Sequence, residues 1–596
     1  MKTMWLTNIE RDEDGRVIFC EGQCGEEEFY LDSREEIEQV TSQGYTIGNP
    51  WVLYDEVRFA EKDYVTERMI LALDMQFVQS TRERFRLNLS FRSNMSNEDM
   101  DAMIRISDDY KHFSETMAAV RIGKNLILMS EKQLAFPEDC SDMMRYCLFE
   151  KVSFDEIDCS QMICCNGFFA YAHINEIDLL HFCTETVKYM IGMFRGVKTD
   201  SIDFNFLNTH NVLDMSHMFH TTGVREICEY GEGALEQEQL QSENTFPDSV
   251  DFSFLDFANA ENVVYMFQNV RADKINLSRV TSLKNVKSMR GMFKGVVCTE
   301  LDLSNLNTLN IEDMSQLFQH SNIFCIDMQQ FDTRNVRYMT GMFSEANVLA
   351  FDLALLNTSN VESMAYMFAS CKSPCVDIGT FDTKNVKDFV GMFRRASCCI
   401  LGLDHFSFKS AERMNFMFED YKYANLHIQL LDLSAGANVY GMFRKTDVYE
   451  LCIDSLHLRS TPKKMFASCN IRNLTINHAV IEGTDTLEFM FSAAHIVKAN
   501  LLGMELGNIR DFTFMFSKAV ICQLNISQLV KKDFIWSNCF REAYIGNINQ
   551  GIFLDEYKKH LYNMEEKRRT KLKMEKQHIL KKLFAQRKLD TEFWFP

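Results

Sequence analysis

The sequence has little of what interrupts a long regular fold. Its 596 residues include only six prolines and 25 glycines, so long flexible linkers are not expected. No uncharged apolar stretch is long enough to cross a bilayer as a helix. No apolar run of signal-peptide length follows Met1, and we therefore expect a cytoplasmic protein. Export by a route that leaves no N-terminal signal is the alternative.

Motifs that carry chemistry are lacking as well. The sequence contains no GxGxxG, P-loop, HExxH or GxSxG motif, and its histidines are few and scattered. Cys20 and Cys24 form an isolated CxxxC with no second pair at metal-site spacing. We therefore predict no enzyme, no catalytic residue, no cofactor and no metal site. The 19 cysteines lack a disulfide-scaffold spacing, which favours buried thiols in a reducing cytosol.

What the sequence does have is a repeat. The segment 335–343, Asn-Val-Arg-Tyr-Met-Thr-Gly-Met-Phe, recurs at 360–368 and again at 385–393. A fixed period of this length is typical of a solenoid, whose units bury their apolar faces against their neighbours. The closing phenylalanine marks the register at Phe169, Phe194, Phe219, Phe267, Phe293, Phe318, Phe343, Phe368, Phe393, Phe418, Phe443, Phe466, Phe491, Phe516 and Phe540.

Each repeat has two halves. The first alternates, as in Leu301-Asp302-Leu303, and predicts a strand with both leucines on one face. The second, Asn-Val-x-x-Met-x-x-Met-Phe, has helical spacing, and its asparagine is placed to cap a short helix. The Met and Phe side chains are expected in the core. We therefore predict an α/β fold, a leucine-rich-repeat-like β/α solenoid of about 15 repeats of about 25 residues.

The repeated pattern also resembles a known family. Leu301-Asp302-Leu303-Ser304 together with the 335–343 segment is similar to BspA-like leucine-rich repeats, which occur in bacterial surface proteins that include mycoplasma-type lipoproteins. The resemblance covers about residues 145–545. It implies a β/α solenoid used for binding, often adhesion, and no catalytic residues.

The period divides the chain into four parts. Residues 1–115 lack it and are predicted to form an α+β domain, with one helix over 97–120 that begins at Ser96. Residues 116–145 are predicted to be an N-terminal capping unit, 146–545 the solenoid, and 546–596 a C-terminal capping helix with a basic tail. The single interval of 48 residues indicates an acidic insertion at about 220–248, either a surface loop or a flap beside a binding face.

The charge is unevenly distributed. Residues 558–588 contain 12 Lys or Arg and 3 Glu, which is a charge of +9. The net charge of the whole chain is −21, so the remaining residues carry −30. Such an acidic body does not favour nucleic-acid binding by the solenoid. The tail is a solvated cap, a docking segment for an acidic partner or nucleic acid, or a partner of the acidic body. Its candidate contacts are Lys567, Arg568, Arg569, Lys571 and Lys573.

The middle position of the strand triplet is acidic in the first half of the solenoid. After residue 377 the position continues as Gly402, His427 and Cys452. The carboxylates either attract a basic partner or bond to a neighbouring turn. We name them the acidic strip, with members Asp178, Asp203, Asp251, Asp302, Asp327, Asp352 and Asp377.

These observations favour a non-enzymatic, cytoplasmic scaffold that binds a protein partner through the acidic strip, whose charge favours a basic one. A secreted or surface adhesin of the BspA-like family is the second hypothesis. The third is a targeting solenoid attached to a terminal segment that binds nucleic acid, through the tail only, or has enzymatic activity. The oligomeric state is left open.

Overall fold

The structure is a computed structural model. It describes residues 87–199, 201–221, 250–277, 283–527, 529, 533–549 and 551–592 together with the strands and short segments between 3 and 70. Within these ranges it describes side chains from 63 to 571 and at 574, except those of Ser201, Val250, Asp251 and Ala350. The predicted insertion lies almost wholly outside the described residues. The chain forms two compact units, Met1–Lys62 and Asp63–Pro596.

The first unit contains a four-stranded sheet. Its strand order is β3-β2-β1-β4, antiparallel except for the parallel pair β1–β4. The strands are β1 (Thr3–Arg11), β2 (Val17–Cys24), β3 (Glu27–Leu31) and β4 (Thr46–Gly48).

The second unit is the predicted solenoid, with about 15 turns at a spacing of about 25 residues. Strands of successive turns pair side by side, and every pair from β11 onward is parallel. The first strands are β5 (Lys62–Tyr64), β6 (Asn88–Arg92), β7 (Asp109–His112), β8 (Met117–Ile122), β9 (Asn125–Ser130), β10 (Gln133–Ala135), β11 (Leu148–Ser153), β12 (Ile157–Asp158), β13 (His173–Asp178) and β14 (Ser201–Ile202).

The remaining strands continue the stack in three further sheets, β15 to β19, β20 with β21, and β22 to β28. They are β15 (Val250–Asp251), β16 (Lys274–Asn276), β17 (Val297–Asp302), β18 (Asn322–Asp327), β19 (Asn347–Ala350), β20 (Cys375–Asp377), β21 (Cys399–Leu401), β22 (Lys422–Leu433), β23 (Asp447–Leu458), β24 (Asn470–Ile481), β25 (His495–Leu501), β26 (Met504–Glu505), β27 (Val520–Ile526) and β28 (Tyr544–Ile548).

The register phenylalanines form one continuous stack inside the solenoid. Phe343 is 1% exposed, and its ring centroid lies 5.3 Å from that of Phe318 and 5.7 Å from that of Phe368. Phe219 stacks directly on Phe267 at 5.6 Å, so these two phenylalanines belong to successive turns although 48 residues separate them in the sequence. Each ring adds a large apolar side chain to the core of its turn.

The second half of each repeat is a series of turns, and the predicted short helix is wrong. The N–H groups of Met339, Gly341 and Phe343 donate to carbonyls of the next repeat at 2.8–3.0 Å. Those donors are therefore lost to the i−4 bonds that an α-helix requires. Gly341 and Glu345 also have left-handed φ angles of 63° and 57°, which no right-handed helix accommodates. The Met and Phe side chains still point inward, as predicted.

The repeated asparagine has a different role from the predicted helix cap. Asn335 Nδ2 donates to the Leu309 carbonyl of the preceding repeat at 2.8 Å, and Asn360 Nδ2 does the same to Arg334 at 2.7 Å. A buried threonine links each turn to the following repeat in a similar way. Thr308 Oγ1 donates to the Asp332 carbonyl at 3.1 Å and accepts from the Asp332 N–H at 2.9 Å. Both residue types therefore join adjacent turns.

The N-terminal end of the solenoid is covered by a helix and a hairpin. Helix α1 (Asn97–Ile106) begins as predicted, because the Asp99 N–H donates to Ser96 Oγ at 3.1 Å. It ends well before residue 120, since β7 and β8 follow as an antiparallel hairpin. Met100 of the helix packs against a small buried cluster that contains Val120. The order β11-β6-β9-β8-β7 joins this cap to the repeat sheet.

The C-terminal end is covered by the predicted long helix, α2 (Ile552–Glu592). Phe553 and Tyr557 are buried on its first turns. The Phe553 ring packs edge-on against Trp536 at 5.1 Å. The Ile545 N–H of β28 donates to Tyr557 Oη at 2.8 Å, so the helix also satisfies a backbone donor at the last strand.

Candidate functional site

The acidic strip lies along the exposed face of the strands. The parallel register places members of the strip side by side on neighbouring strands. Asp302 pairs directly with Asp327. Ile177 pairs with Ile202, so the residues that follow them, Asp178 and Asp203, are neighbours as well. Adjacent strands are about 4.8 Å apart, so successive carboxylates are close neighbours. Flanking apolar residues such as Leu301 and Leu303 are buried, as the alternation predicts.

Each described carboxylate of the strip also has a structural bond. Asp302 Oδ1 accepts from the Ser304 N–H at 3.0 Å, and Asp327 Oδ1 accepts from the Gln329 N–H at 3.1 Å. Hydrogen bonds from Ser304 hold the pKa of Asp302 below its ordinary value. The same bond, from the residue two positions on at 2.9–3.1 Å, is made to Asp178, Asp203, Asp352 and Asp377.

Two members of the strip, Asp251 and Asp377, differ from the others. Asp251 lies in β15 and pairs with Asn276, and its side chain is outside the described side chains. Asp377 pairs with Leu401 across β20 and β21, so Leu401 occupies the position that a strict period of 25 gives to Gly402. The strip therefore stops at an exposed leucine.

Sequence reasoning missed an apolar stripe beside the strip. Phe324 is 57% exposed and Leu349 is 50% exposed. Ile323 of β18 pairs with Val348 of β19, so the next residues along, Phe324 and Leu349, are neighbours on the two strands. Each lies three residues before a member of the acidic strip, Asp327 or Asp352. A phenylalanine at an outward strand position is a signal that a column-by-column reading of the repeats could have found. The central face thus combines exposed apolar groups with carboxylates.

A second surface runs along the corner at the repeated asparagine, where charges alternate from turn to turn. Lys287 Nζ lies 3.0 Å from Glu312 Oε1, and Arg337 Nη2 lies 2.5 Å from Glu362 Oε1. Lys387 Nζ approaches Glu362 Oε2 at 3.5 Å. Of these groups, Lys287, Glu312, Arg337 and Glu362 border a shallow groove of about 350 Å³. Because the ions pair within the surface, the corner lacks the single sign of charge that attracts a charged partner.

The basic tail continues along α2. Side chains from Leu561 to Lys571 are exposed, which includes Lys567, Arg568, Arg569 and Lys571. Arg569 Nη2 pairs with Glu565 Oε1 at 2.9 Å within the helix. Lys573 lies in the same helix, and its side chain is outside the described side chains.

One group of metal-ligating side chains meets among the residues that the structure describes. It consists of His427, Cys452 and Asp454 on the exposed face of β22 and β23, with one ligand atom of each within 4.8 Å of the others. Within the described part of the chain, no helix is long and apolar enough to cross a membrane.

Stacked, similar turns with a parallel strand in each define a solenoid repeat protein. The chain belongs to the family described as "Mycoplasma protein of unknown function, DUF285". The family model matches residues 138–226, 261–377, 349–456, 372–479 and 460–550, so it follows the solenoid and omits most of the predicted insertion. No curated protein and no solved structure matches the chain.

Proposed function

We propose that the protein is a non-enzymatic scaffold that binds a basic protein partner on the strand face of its solenoid. The observation that carries the proposal is the central face, where Phe324 and Leu349 are about half exposed beside Asp302, Asp327 and Asp352. Exposed apolar groups supply buried area on binding, and neighbouring carboxylates select positive charge. A segment with apolar and Lys or Arg side chains fits both.

The structural bonds of the strip do not conflict with this role. Each bond in the turn uses Oδ1 of its carboxylate, as in Asp302 and Asp327. Asparagine retains that oxygen, so an Asp→Asn change removes the charge and keeps the turn. A partner-binding role and a turn-capping role are therefore separable by substitution.

The proposal places the scaffold in the cytoplasm and relates it to BspA-like leucine-rich repeats. Three free cysteines, Cys375, Cys183 and Cys522, are exposed, which favours a reducing compartment. The adhesin hypothesis, which the repeat pattern also supports, requires an oxidising exterior instead. Recovery of these thiols in the oxidised state from native protein would favour the adhesin.

The experiment that tests the proposal is affinity capture of the full-length protein from its native lysate, with and without nuclease. We expect a protein partner that resists nuclease and is rich in basic segments. The partner should be lost when Asp302, Asp327 and Asp352 are changed to Asn, and also when Phe324 and Leu349 are changed to Ser. Retention of the same partner by both variants would contradict the proposal.

A second candidate function rests on the exposed tail. The side chains of Lys567, Arg568, Arg569 and Lys571 are exposed on a helix that extends past the last turn of the solenoid. Clustered cations on one helix favour binding to phosphates or to an acidic protein. Capture of nucleic acid that is abolished by removing residues 561–596, and unchanged in the Asp→Asn variant, would support this candidate over the first.

A further inference from the structure

The strand face changes its chemistry after the acidic strip. The middle strand position that holds Asp in earlier turns holds His427 in β22 and Cys452 in β23, and these two residues are register partners. Asp454 follows Cys452 by two residues, so the strand alternation places it on the same face. Three different metal-ligating groups therefore come together from two neighbouring strands.

The distances between the ligand atoms are suited to one shared ion. His427 Nε2 lies 2.8 Å from Asp454 Oδ2, and Cys452 Sγ lies 3.5 Å from Asp454 Oδ1. A tetrahedral zinc ion with ordinary bond lengths separates its ligand atoms by about 3.3–3.6 Å. Side-chain rotations that move these atoms by up to about 1 Å meet this requirement, because all three ligand atoms already lie within 4.8 Å of one another.

We propose that His427, Cys452 and Asp454 bind a divalent transition-metal ion of the zinc class. A ligand set of one imidazole nitrogen, one thiolate and one carboxylate oxygen suits this class and does not suit calcium or magnesium. The ion leaves one tetrahedral position for water, and that position faces solvent because the His427 side chain is 56% exposed.

A neighbouring side chain supports the ligand set. Asn477 of β24 donates from Nδ2 to Asp454 Oδ1 at 2.8 Å. Hydrogen bonds of this kind orient a ligating carboxylate and raise metal affinity. Asn477 is thus a positioning residue, and it belongs to the turn that follows Cys452.

The test is titration of the reduced full-length protein with cobalt(II) alone, followed by competition with zinc. Bound to a thiolate, cobalt gives a near-ultraviolet charge-transfer band, and tetrahedral geometry gives intense visible bands. We expect both signals at one equivalent and their loss on adding zinc. Cys452→Ser should remove the charge-transfer band, whereas the exposed-thiol control Cys522→Ser should retain it.

A second variant keeps the thiol and tests the site itself. Asp454→Asn preserves the side-chain shape and should weaken cobalt affinity at least about tenfold. Loss of a group that only supports a ligand already costs about tenfold, and loss of a ligand should cost no less. The control His495→Ala, an exposed histidine on β25, should bind cobalt as the unchanged protein does. A missing band in the unchanged protein, the same band in Cys452→Ser, or unchanged affinity in Asp454→Asn would overturn the proposal.

Discussion

Replacing Phe343 by alanine tests the phenylalanine stack as the core of the solenoid. The ring is 1% exposed and lies between the rings of Phe318 and Phe368. A phenylalanine buries at least about 150 Å², which at about 25 cal/mol per Å² corresponds to about 4 kcal/mol. Since adjacent turns keep the cavity from collapsing, we expect a loss of about 3–5 kcal/mol in the free energy of unfolding.

The assay must report on the central turns. A long repeat array can unfold in steps, so a single melting curve need not describe them. Hydrogen exchange of peptides that cover residues 336–368, read by mass spectrometry, gives the local free energy of opening. The matched control is Phe324→Ala in the preceding strand, which removes the same side chain from a site that is 57% exposed.

The two variants should differ clearly. Phe324→Ala is expected to change the local free energy of opening by less than about 1 kcal/mol, because the side chain is already half in water. If Phe343→Ala lowers it by less than about 1 kcal/mol, or by no more than the control does, the stack is not the source of the stability that we assign to it.

Two further predictions concern the buried Thr308 and the partly buried histidine pair at 217 and 220. Thr308→Val should lower the local free energy of opening around residue 332, read by hydrogen exchange, by about 2–4 kcal/mol, because it leaves the backbone N–H and carbonyl of Asp332 without their bonds. An equal loss in Thr308→Ser would contradict this. Burial lowers the pKa of His217 to about 4 and that of His220 to about 2, and their Nδ1 atoms lie 3.2 Å apart. Their contribution is full above about pH 6.5 and is lost as the pH falls from there toward the folded-state pKa, by about 1.4 kcal/mol per pH unit for each histidine. His220→Gln should roughly halve this slope in the local free energy of opening around residues 215–221, measured by hydrogen exchange from pH 7 to pH 5. An unchanged slope would refute the assignment.

The stacked core could be predicted from the sequence because it repeats. Alternation around Asp302 fixed the strand, and the recurrent Phe343 position fixed the core, so both followed from one period. The helical spacing of Val336, Met339 and Met342 was misleading. That spacing comes from residues that face inward in successive tight turns. The left-handed backbone conformation at Glu345 could not be predicted from the sequence, because in most repeats a residue other than glycine adopts it.

The candidate sites were less accessible to sequence reasoning. The acidic strip was visible, but its hydrogen bonds to the following turn required coordinates, as did the exposure of Phe324. The group at His427, Cys452 and Asp454 was missed for a different reason. Cys452 and Asp454 follow His427 by 25 and 27 residues, a spacing that matches no metal motif. Only the parallel register of β22 and β23 brings the three residues together.

The central claim is that the acidic strip binds a basic protein partner. Its most direct test compares two triple variants. Both remove three negative charges and keep the same type of hydrogen bond in the turn. The strip variant changes residues of the acidic strip, and the corner variant changes residues in turns away from it. The first changes Asp302, Asp327 and Asp352 to Asn, and the second changes Asp256, Asp332 and Asp382 to Asn, whose Oδ1 atoms also accept from the residue two positions on.

Affinity for the captured partner is then measured by calorimetry at low and at physiological salt. At about 0.5–1 kcal/mol for each exposed carboxylate, the strip variant should bind about ten- to a hundredfold more weakly, with the difference reduced by salt. The corner variant should bind as the unchanged protein does. Equal affinity of the two variants would show that the strip only caps its turns, and would contradict the account.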